Sequence, residues 1–165
     1  MGSVGFWLGT GRMRQLRKEE LHELVTERLQ RLDRRFTGGR RAIVELLIDA
    51  GHPVTIRDIG EMRPGLARSS VYRNLVDLEQ AGVVRRIAVD DEFSRYELAE
   101  DLTEHHHHLL CVKCGKVIDM ASPAPLEREL DQAVREVSKA EGFLVASHRV
   151  DVLGVCASCR SAGYG

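Results

Sequence analysis

Four consecutive histidines and two cysteine pairs give this chain an unusual density of metal-binding side chains. Thiolate sulfur and neutral imidazole nitrogen are preferred ligands of zinc and of several other first-row metals. Two Cys-x-x-Cys hooks can complete one closed tetrahedral site. A single hook could be a redox pair, but two hooks that use every cysteine of the chain favour structural zinc. The predicted ligands are Cys111, Cys114, Cys156 and Cys159.

The histidine run can serve two separate metal sites. Successive side chains of an extended strand point to opposite faces. His106 and His108 therefore share one face, and His105 and His107 share the other. The alternative is a solvated histidine-rich loop that binds metal only adventitiously, and the adjacent cysteine ligands argue against it.

Each site needs further ligands, and several carboxylates and one histidine are candidates. His148 lies on an apolar alternating stretch, where a lone histidine is usually a core residue, but the second cysteine pair follows it closely. Glu127 and Asp131 lie one helical turn apart, so either could reach the same place. Glu97 and Asp119 stand on either side of the histidine run. A metal that takes Glu97 would connect the two halves of the chain.

The elements before the histidine run follow the order of a winged helix-turn-helix. Apolar residues at helical spacing predict helices over 16–35, 40–50, 56–62 and 70–81. Gly38 and Gly39 should break the first helix, Gly51 should end the second, and Thr55 with Asp58 should cap the third. Ser69 or Ser70 should cap the fourth. Two strand-like runs, 83–89 and 93–98, are joined by the acidic turn Asp90-Asp91-Glu92 and predict the wing.

The fourth predicted helix has the composition of a DNA-recognition helix. The first residues of such a helix enter the major groove, and its N-terminus attracts phosphate. The alternative is a simple amphipathic core helix, but the helix order, the wing and the local arginines favour DNA binding. The candidate DNA contacts are Arg40, Arg68, Ser69, Ser70, Tyr72 and Arg73.

The residues after the wing predict a small α+β domain. Residues 99–104 form a polar hinge, and strands at 107–112 and 116–120 flank the first cysteine hook. A helix over 125–141 and a strand over 143–153 lead to the second hook. The fold class is therefore α+β, with an N-terminal winged helix-turn-helix and a C-terminal small α+β domain.

Charge is distributed unevenly along the 165 residues. Residues 1–89 hold 16 lysines and arginines against 11 acidic residues, whereas residues 90–165 hold 8 against 14. A basic half suits a polyanion such as DNA, although it also suits an ordinary solvated surface. No apolar stretch approaches the roughly 18 residues of a membrane span. Metal-bound, reduced cysteines favour a cytoplasmic protein without membrane association.

These residues resemble the ferric uptake regulator family of metal-responsive bacterial repressors over roughly residues 35–160. The resemblance rests on Ser70-Val71-Tyr72-Arg73, Ala81-Gly82-Val83-Val84, Tyr96-Glu97-Leu98, HHHHLLCVKCGKVIDM, and Ser147-His148 before the second hook. It implies a homodimer that binds palindromic double-stranded operator DNA when loaded with metal. The implied layout is a flexible leader (1–15), a winged-helix DNA-binding domain (16–98), a hinge (99–104) and a metal-binding dimerisation domain (105–165).

The resemblance also implies three metal sites. The cysteines match a structural Zn²⁺ site. The regulatory site at the hinge matches Glu97, His106, His108 and Asp119. The family adds a histidine from the loop before the third helix, where Pro53 aligns and His52 is adjacent, and the longer spacing after Glu97 leaves room for Asp101. The third site matches His105, His107, His148 and a helix carboxylate, for which Glu127 is preferred and Asp131 is the alternative.

The predicted function is metal-dependent repression of metal-homeostasis genes. Two histidines and two carboxylates suit Fe²⁺ or Mn²⁺ somewhat better than Zn²⁺. A zinc-responsive repressor is one alternative. A peroxide sensor is another, because peroxide-sensing relatives carry Asp at the position of Asp119, where many iron sensors carry Glu. The rival class, a zinc-dependent enzyme, would need an open metal position in a substrate pocket, and no HExxH motif or nucleophile elbow supports it. The chain is therefore predicted not to be an enzyme.

Overall fold

The structure is a computed structural model that describes residues 17–87, 94–103, 105–120 and 122–164, and it confirms the predicted α+β class. The helices are α1 (Lys18–Gln30), α2 (Gly38–Ala50), α3 (Ile56–Met62), α4 (Arg68–Gln80), α5 (Ala124–Glu141) and α6 (Ala157–Ser161). The strands are β1 (Val54–Thr55), β2 (Val84–Ile87), β3 (Arg95–Leu98), β4 (His107–Cys111), β5 (Val117–Met120) and β6 (Asp151–Gly154), and a 3-10 turn spans Glu100–Leu102. The predicted leader and the acidic turn Asp90-Asp91-Glu92 lie outside the described residues.

The N-terminal unit is built around a continuous apolar core. Its 17 buried residues run from Leu21 on α1 to Leu102 in the 3-10 turn, and they include Leu75 and Leu78 on α4. Two of the predicted local signals are present in the structure. Thr55 and Asp58 form a reciprocal capping box at the start of α3. Gly51 ends α2 with a φ of 62°, a left-handed conformation that glycine adopts without strain.

The wing is a small antiparallel sheet with the strand order β1-β3-β2. In the β2–β3 ladder Arg85 stands opposite Glu97, and Arg86 stands opposite Tyr96. Strand β1 was not predicted, because two residues carry too little periodicity to identify a strand.

The C-terminal unit centres on β4, which pairs antiparallel with β5 and parallel with β6. His107 and His108, which point to opposite faces of β4, are both fully buried. Helix α5 is strongly amphipathic, and Asp131 is its one buried residue among those described. Among the described residues, no helix is both long enough and apolar enough to cross a membrane.

Three local predictions were wrong, and one short helix was not predicted. Gly38 and Gly39 do not break the first helix, because α1 already ends at Gln30. They instead form the first turn of α2 after Thr37, where glycine is tolerated and Gly39 lies against Asn74 of α4. Helix α4 begins two residues early, with Ala67 at its N-cap instead of a serine. Residues 143–150 form no strand, because only 151–154 reach the edge of β4. Helix α6 was missed because five residues are too few for a periodic pattern.

Candidate metal centres

The two cysteine hooks meet at one end of the C-terminal sheet. Cys111 ends β4, Cys114 lies in the turn to β5, and Cys156 and Cys159 lie at the start of α6. The four sulfurs all lie within 4.8 Å of one another, and Cys114 Sγ is 3.7 Å from Cys156 Sγ. A tetrahedral zinc ion with Zn–S bonds of about 2.3 Å has sulfur–sulfur edges of about 3.8 Å. This cysteine cluster therefore fits a structural zinc ion, as its spacing predicts.

The thiols of the cysteine cluster are not equivalent. The Cys156 backbone N–H donates to Cys111 Sγ at 3.3 Å and lowers the pKa of the Cys111 thiol to about 6. The neighbouring Cys156 side chain raises the pKa of Cys159 to about 12. Four close thiols cannot all ionise without a cation, so metal binding here must release protons and weaken as the pH falls.

The predicted regulatory ligands come together where the wing meets the C-terminal sheet. Suitable atoms of Glu97, His106, His108 and Asp119 lie within 4.8 Å of one another; these four residues are termed the hinge group. Glu97 Oε2 is 3.2 Å from Nε2 of both His106 and His108. Asp119 stands opposite His108 in the β4–β5 ladder, with Oδ1 4.0 Å from His108 Nε2. Two imidazoles and two carboxylates suit a divalent first-row metal.

The surroundings of the hinge group keep its ligands ready for a cation. Burial alone would raise the pKa of Glu97, but hydrogen bonds from His106, His108 and Arg85 outweigh it and hold that pKa well below its ordinary value. Asp151 Oδ1 lies 3.1 Å from His108 Nδ1, so it orients the ring and leaves Nε2 facing the group. Asp151 was not among the predicted site residues, and the available sequence signal was that it is the one carboxylate within 143–153.

The other face of β4 holds a second candidate centre. His105, His107, Glu127 and His148 also offer atoms within 4.8 Å of one another; they are termed the dimer-domain group. Glu127 Oε1 lies 2.7 Å from His107 Nε2, and its Oε2 lies 3.2 Å from His148 Nε2. His105 Nε2 is buried, has no hydrogen-bond partner among the described residues and faces Glu127 Oε2 at 3.4 Å. A buried imidazole nitrogen in this setting fits a metal ligand.

Glu127 and Asp131 occupy different positions around the dimer-domain group. Glu127 reaches its centre, whereas Asp131 Oδ1 lies 3.5 Å from the opposite ring nitrogen of His148, Nδ1. Asp131 is thus placed to orient the His148 ring through Nδ1, which leaves Nε2 toward Glu127. The pattern of strand alternation separates the two histidine pairs correctly, but helical spacing alone could not separate two carboxylates one turn apart.

Two further candidate ligands lie outside these groups. Asp101 forms an ion pair with Arg28 of α1, which also donates to the Gly82 carbonyl oxygen. His52 is exposed, and its Nδ1 lies 3.4 Å from the carbonyl oxygen of Pro53. The structure therefore does not bring either residue into the hinge group.

Most of the predicted DNA contacts share the outer side of α4. Arg68, Ser69, Tyr72 and Arg73 are exposed, and the Arg68 guanidinium stacks 5.9 Å above the Tyr72 ring. Ser70 is partly buried in the first turn of the same helix. Arg40 is the exception, because its side chain is only 11% exposed, pairs with Asp77 and donates to the Arg35 carbonyl oxygen. Arg40 thus ties α2 to α4 and has little reach toward a phosphate.

Comparisons with known proteins agree with this architecture. The model of the ferric uptake regulator family matches residues 31–153. The peroxide operon regulator of Bacillus subtilis is 32% identical over 145 residues, which cover 84% of this chain and 94% of that protein. The peroxide-responsive repressor PerR of Staphylococcus epidermidis is 29% identical, covering 87% of this chain and 93% of that protein. The solved structure of the Helicobacter pylori ferric uptake regulator, described as having three functional metal binding sites, is 26% identical with a TM-score of 0.68, covering 92% of this chain and 97% of that one.

Proposed function

The chain belongs to the ferric uptake regulator family, and from that premise we propose that it is a metal-dependent transcriptional repressor that binds operator DNA as a homodimer. The cytoplasm, where DNA is reached directly, is its proposed location. The observation that carries the proposal is the position of the hinge group. Glu97 comes from the wing strand β3, whereas His106, His108 and Asp119 come from the C-terminal side.

The hinge group can act as a switch because its ligands belong to two units of the chain. A bound metal would supply the positive charge that holds all four ligands together. Glu97 then fixes the wing against β4, which favours one relative orientation of the two units over others. Metal binding is thus a shift in population between conformations that do and do not fit DNA. Operator DNA must in return tighten metal binding by the same factor.

A DNA interface and a dimer interface are supported by two exposed surfaces. Helix α4 presents Arg68, Tyr72 and Arg73 outward, with side chains suited to phosphate and base contacts. On the C-terminal unit, large apolar side chains are exposed on α5 and β6, including Val137 at 63% and Leu153 at 65%. Large apolar side chains exposed in a single subunit are available for a protein interface. A symmetric dimer would present two α4 helices to a palindromic operator.

The three groups are proposed to hold different metals. The cysteine cluster suits structural Zn²⁺. The hinge group contains oxygen and nitrogen ligands only, which favours Fe²⁺ or Mn²⁺, with Zn²⁺ as the alternative. The dimer-domain group has three imidazoles and one carboxylate, a set that also accommodates Zn²⁺. His52 and Asp101 remain predicted additional ligands of the hinge metal, in a conformation that brings them closer.

Peroxide sensing is a second candidate function, favoured by Asp119 in the hinge group and by the two peroxide regulators among the relatives. In this scheme peroxide transfers one oxygen atom to a C–H bond of the His106 or His108 ring and leaves as water. The altered ring is a poorer ligand, so repression ends. Mass spectrometry of protein treated with iron and peroxide should then find the added mass of one oxygen atom on a peptide containing residues 105–108.

The central experiment titrates Fe²⁺ or Mn²⁺ against wild-type protein and operator DNA under anaerobic conditions, with fluorescence anisotropy as the readout. We expect His106→Ala to require far more metal for the same DNA binding, and His22→Ala, on α1 outside all three groups, to match wild type. An unchanged metal dependence in His106→Ala would show that the hinge group is not the switch. If neither the wild-type protein nor His106→Ala binds DNA at any metal concentration, the result would instead favour the rival class, a zinc-dependent enzyme.

A further inference from the structure

The hinge group has a cation of its own, supplied by Arg85 on strand β2. Arg85 stands directly opposite Glu97 in the β2–β3 ladder, so the two side chains share one face of the wing. Its Nε donates to Glu97 Oε1 at 2.9 Å, and its Nη2 donates to the same oxygen. The Arg85 side chain is 19% exposed and that of Glu97 is 8% exposed, so water screens the pair only partly.

The two oxygens of Glu97 therefore have different partners. Oε1 accepts from Arg85, whereas Oε2 lies 3.2 Å from Nε2 of both His106 and His108. A metal held by the hinge group would take Oε2 and would share the carboxylate with a guanidinium already bound to Oε1. The metal and the guanidinium would then lie on the two oxygens of one carboxylate. Two positive charges that close repel each other, and more strongly in a partly buried setting than in water.

Arg85 also reaches toward the second metal group. Its Nη1 lies 3.8 Å from Glu100 Oε2. The other oxygen of Glu100 is paired with Nδ1 of His105, whose Nε2 faces the dimer-domain group. Arg85 is thus held between Glu97 of the hinge group and Glu100, which contacts His105 of the dimer-domain group.

We propose that Arg85 is a resident counter-cation that neutralises Glu97 in the metal-free protein and thereby lowers the affinity of the hinge group for divalent metal. Without Arg85, Glu97 Oε1 would lose its charged partner in a buried setting, so the empty hinge group would be less stable. With Arg85 present, an incoming metal must compete for a carboxylate that is already satisfied. Arg85 consequently sets the metal concentration at which the hinge group fills. The inference deepens the proposed function and rests on it, because it concerns the same switch.

Three variants separate the charge of Arg85 from its hydrogen bonds. Arg85→Gln keeps a donor opposite Glu97 but removes the charge, and Arg85→Lys keeps the charge. Arg86→Gln is the matched control, because Arg86 is the next residue on β2, points to the opposite face and bonds to Ser94. Each is made in a His148→Ala background, which disables the dimer-domain group, and each is prepared with zinc in the cysteine cluster. Electron paramagnetic resonance of free Mn²⁺ then gives the dissociation constant without DNA.

We expect Arg85→Gln to bind Mn²⁺ at least about ten-fold more tightly, equivalent to about 1.4 kcal/mol. Arg85→Lys and Arg86→Gln should stay close to the parent protein. Unchanged or weaker binding by Arg85→Gln would overturn the proposal, and weaker binding would mean that Arg85 instead positions Glu97 for the metal. Equal tightening by Arg85→Lys would also overturn it, since the charge would then not be the cause.

Thermal unfolding gives a readout that requires no bound metal at the hinge. Metal-free Arg85→Gln should melt at a lower temperature than the parent protein, and Mn²⁺ should raise its melting temperature by a larger increment. Identical metal-free melting temperatures would contradict the proposed neutralising role. Failure of the repressor proposal is distinguishable, because it would appear as wild-type protein that binds Mn²⁺ with no effect on DNA affinity.

Discussion

Loss of the cysteine-bound zinc should unfold the C-terminal unit and leave the N-terminal unit folded. Among the described residues from 105 to 164, the buried hydrophobic side chains are Leu110 and Cys111, whereas 17 buried residues form the N-terminal core. At roughly 2 kcal/mol for each buried side chain, those two contribute about 4 kcal/mol. Structural zinc in small domains contributes about 10–16 kcal/mol of apparent binding free energy, and it therefore dominates here.

The assay is hydrogen–deuterium exchange, read by mass spectrometry, before and after removal of zinc by a strong chelator. We expect the amides of β4, β5 and β6 to lose their protection, and those of α2 and α4 to keep it. Cys156→Ser should reproduce this pattern without chelator, which assigns the effect to the cysteine cluster and not to the other metal groups. Ser158→Ala, between the two cysteines on α6, is the matched control. Full protection of β4 in protein verified to be zinc-free would contradict this prediction.

Three further predictions concern the core, the hinge and the DNA surface. Leu75→Ala should lower the free energy of unfolding of the N-terminal unit by about 2–5 kcal/mol in denaturant titrations, with the zinc content unchanged, because it leaves a cavity in a fully packed core. Glu97 has a depressed pKa, so its contribution to stability is present above the unfolded value of about 4.3 and is lost as the pH falls. Metal-free Glu97→Gln should therefore lose less stability than wild type as the pH falls from about 5 to about 3. The melting temperatures of both proteins, measured at each pH, give the comparison, and an equal decrease in both would contradict this. Arg73→Ala should weaken DNA binding and reduce the slope of log K against log salt by about one unit, whereas Arg57→Ala, exposed on α3, should do neither if α4 is the recognition helix.

Local chemistry explains why much of the fold could be predicted from the sequence. Helix periodicity, the Thr55–Asp58 capping box and the glycine at the end of α2 depend on residues a few positions apart, and the structure contains each of them. The errors arose where local signals are weak or shared. Strand β1 has two residues and helix α6 has five, which is too few to show a hydrophobic period. The alternating residues 143–150 predict a strand, but no neighbouring strand pairs with them.

Residue type and strand alternation by themselves determined which side chains could bind metal and how the histidines divide between two faces. Alternation is a property of any extended backbone, so it holds without knowledge of the fold. The partners that come from distant elements depend on the tertiary packing. The structure places Glu127, and not Asp131, within the dimer-domain group, and it pairs Asp101 with Arg28.

The same is true of Arg40 and Arg85, whose roles the sequence left open or unseen. Arg40 pairs with Asp77 because α2 packs on α4, and Arg85 reaches Glu97 because of the register of β2 and β3. Ion pairs form between groups that packing brings within a few ångströms, and sequence separation says nothing about that distance. The histidines and cysteines were therefore evident from the chain alone, but the cation that we propose to set their affinity was not.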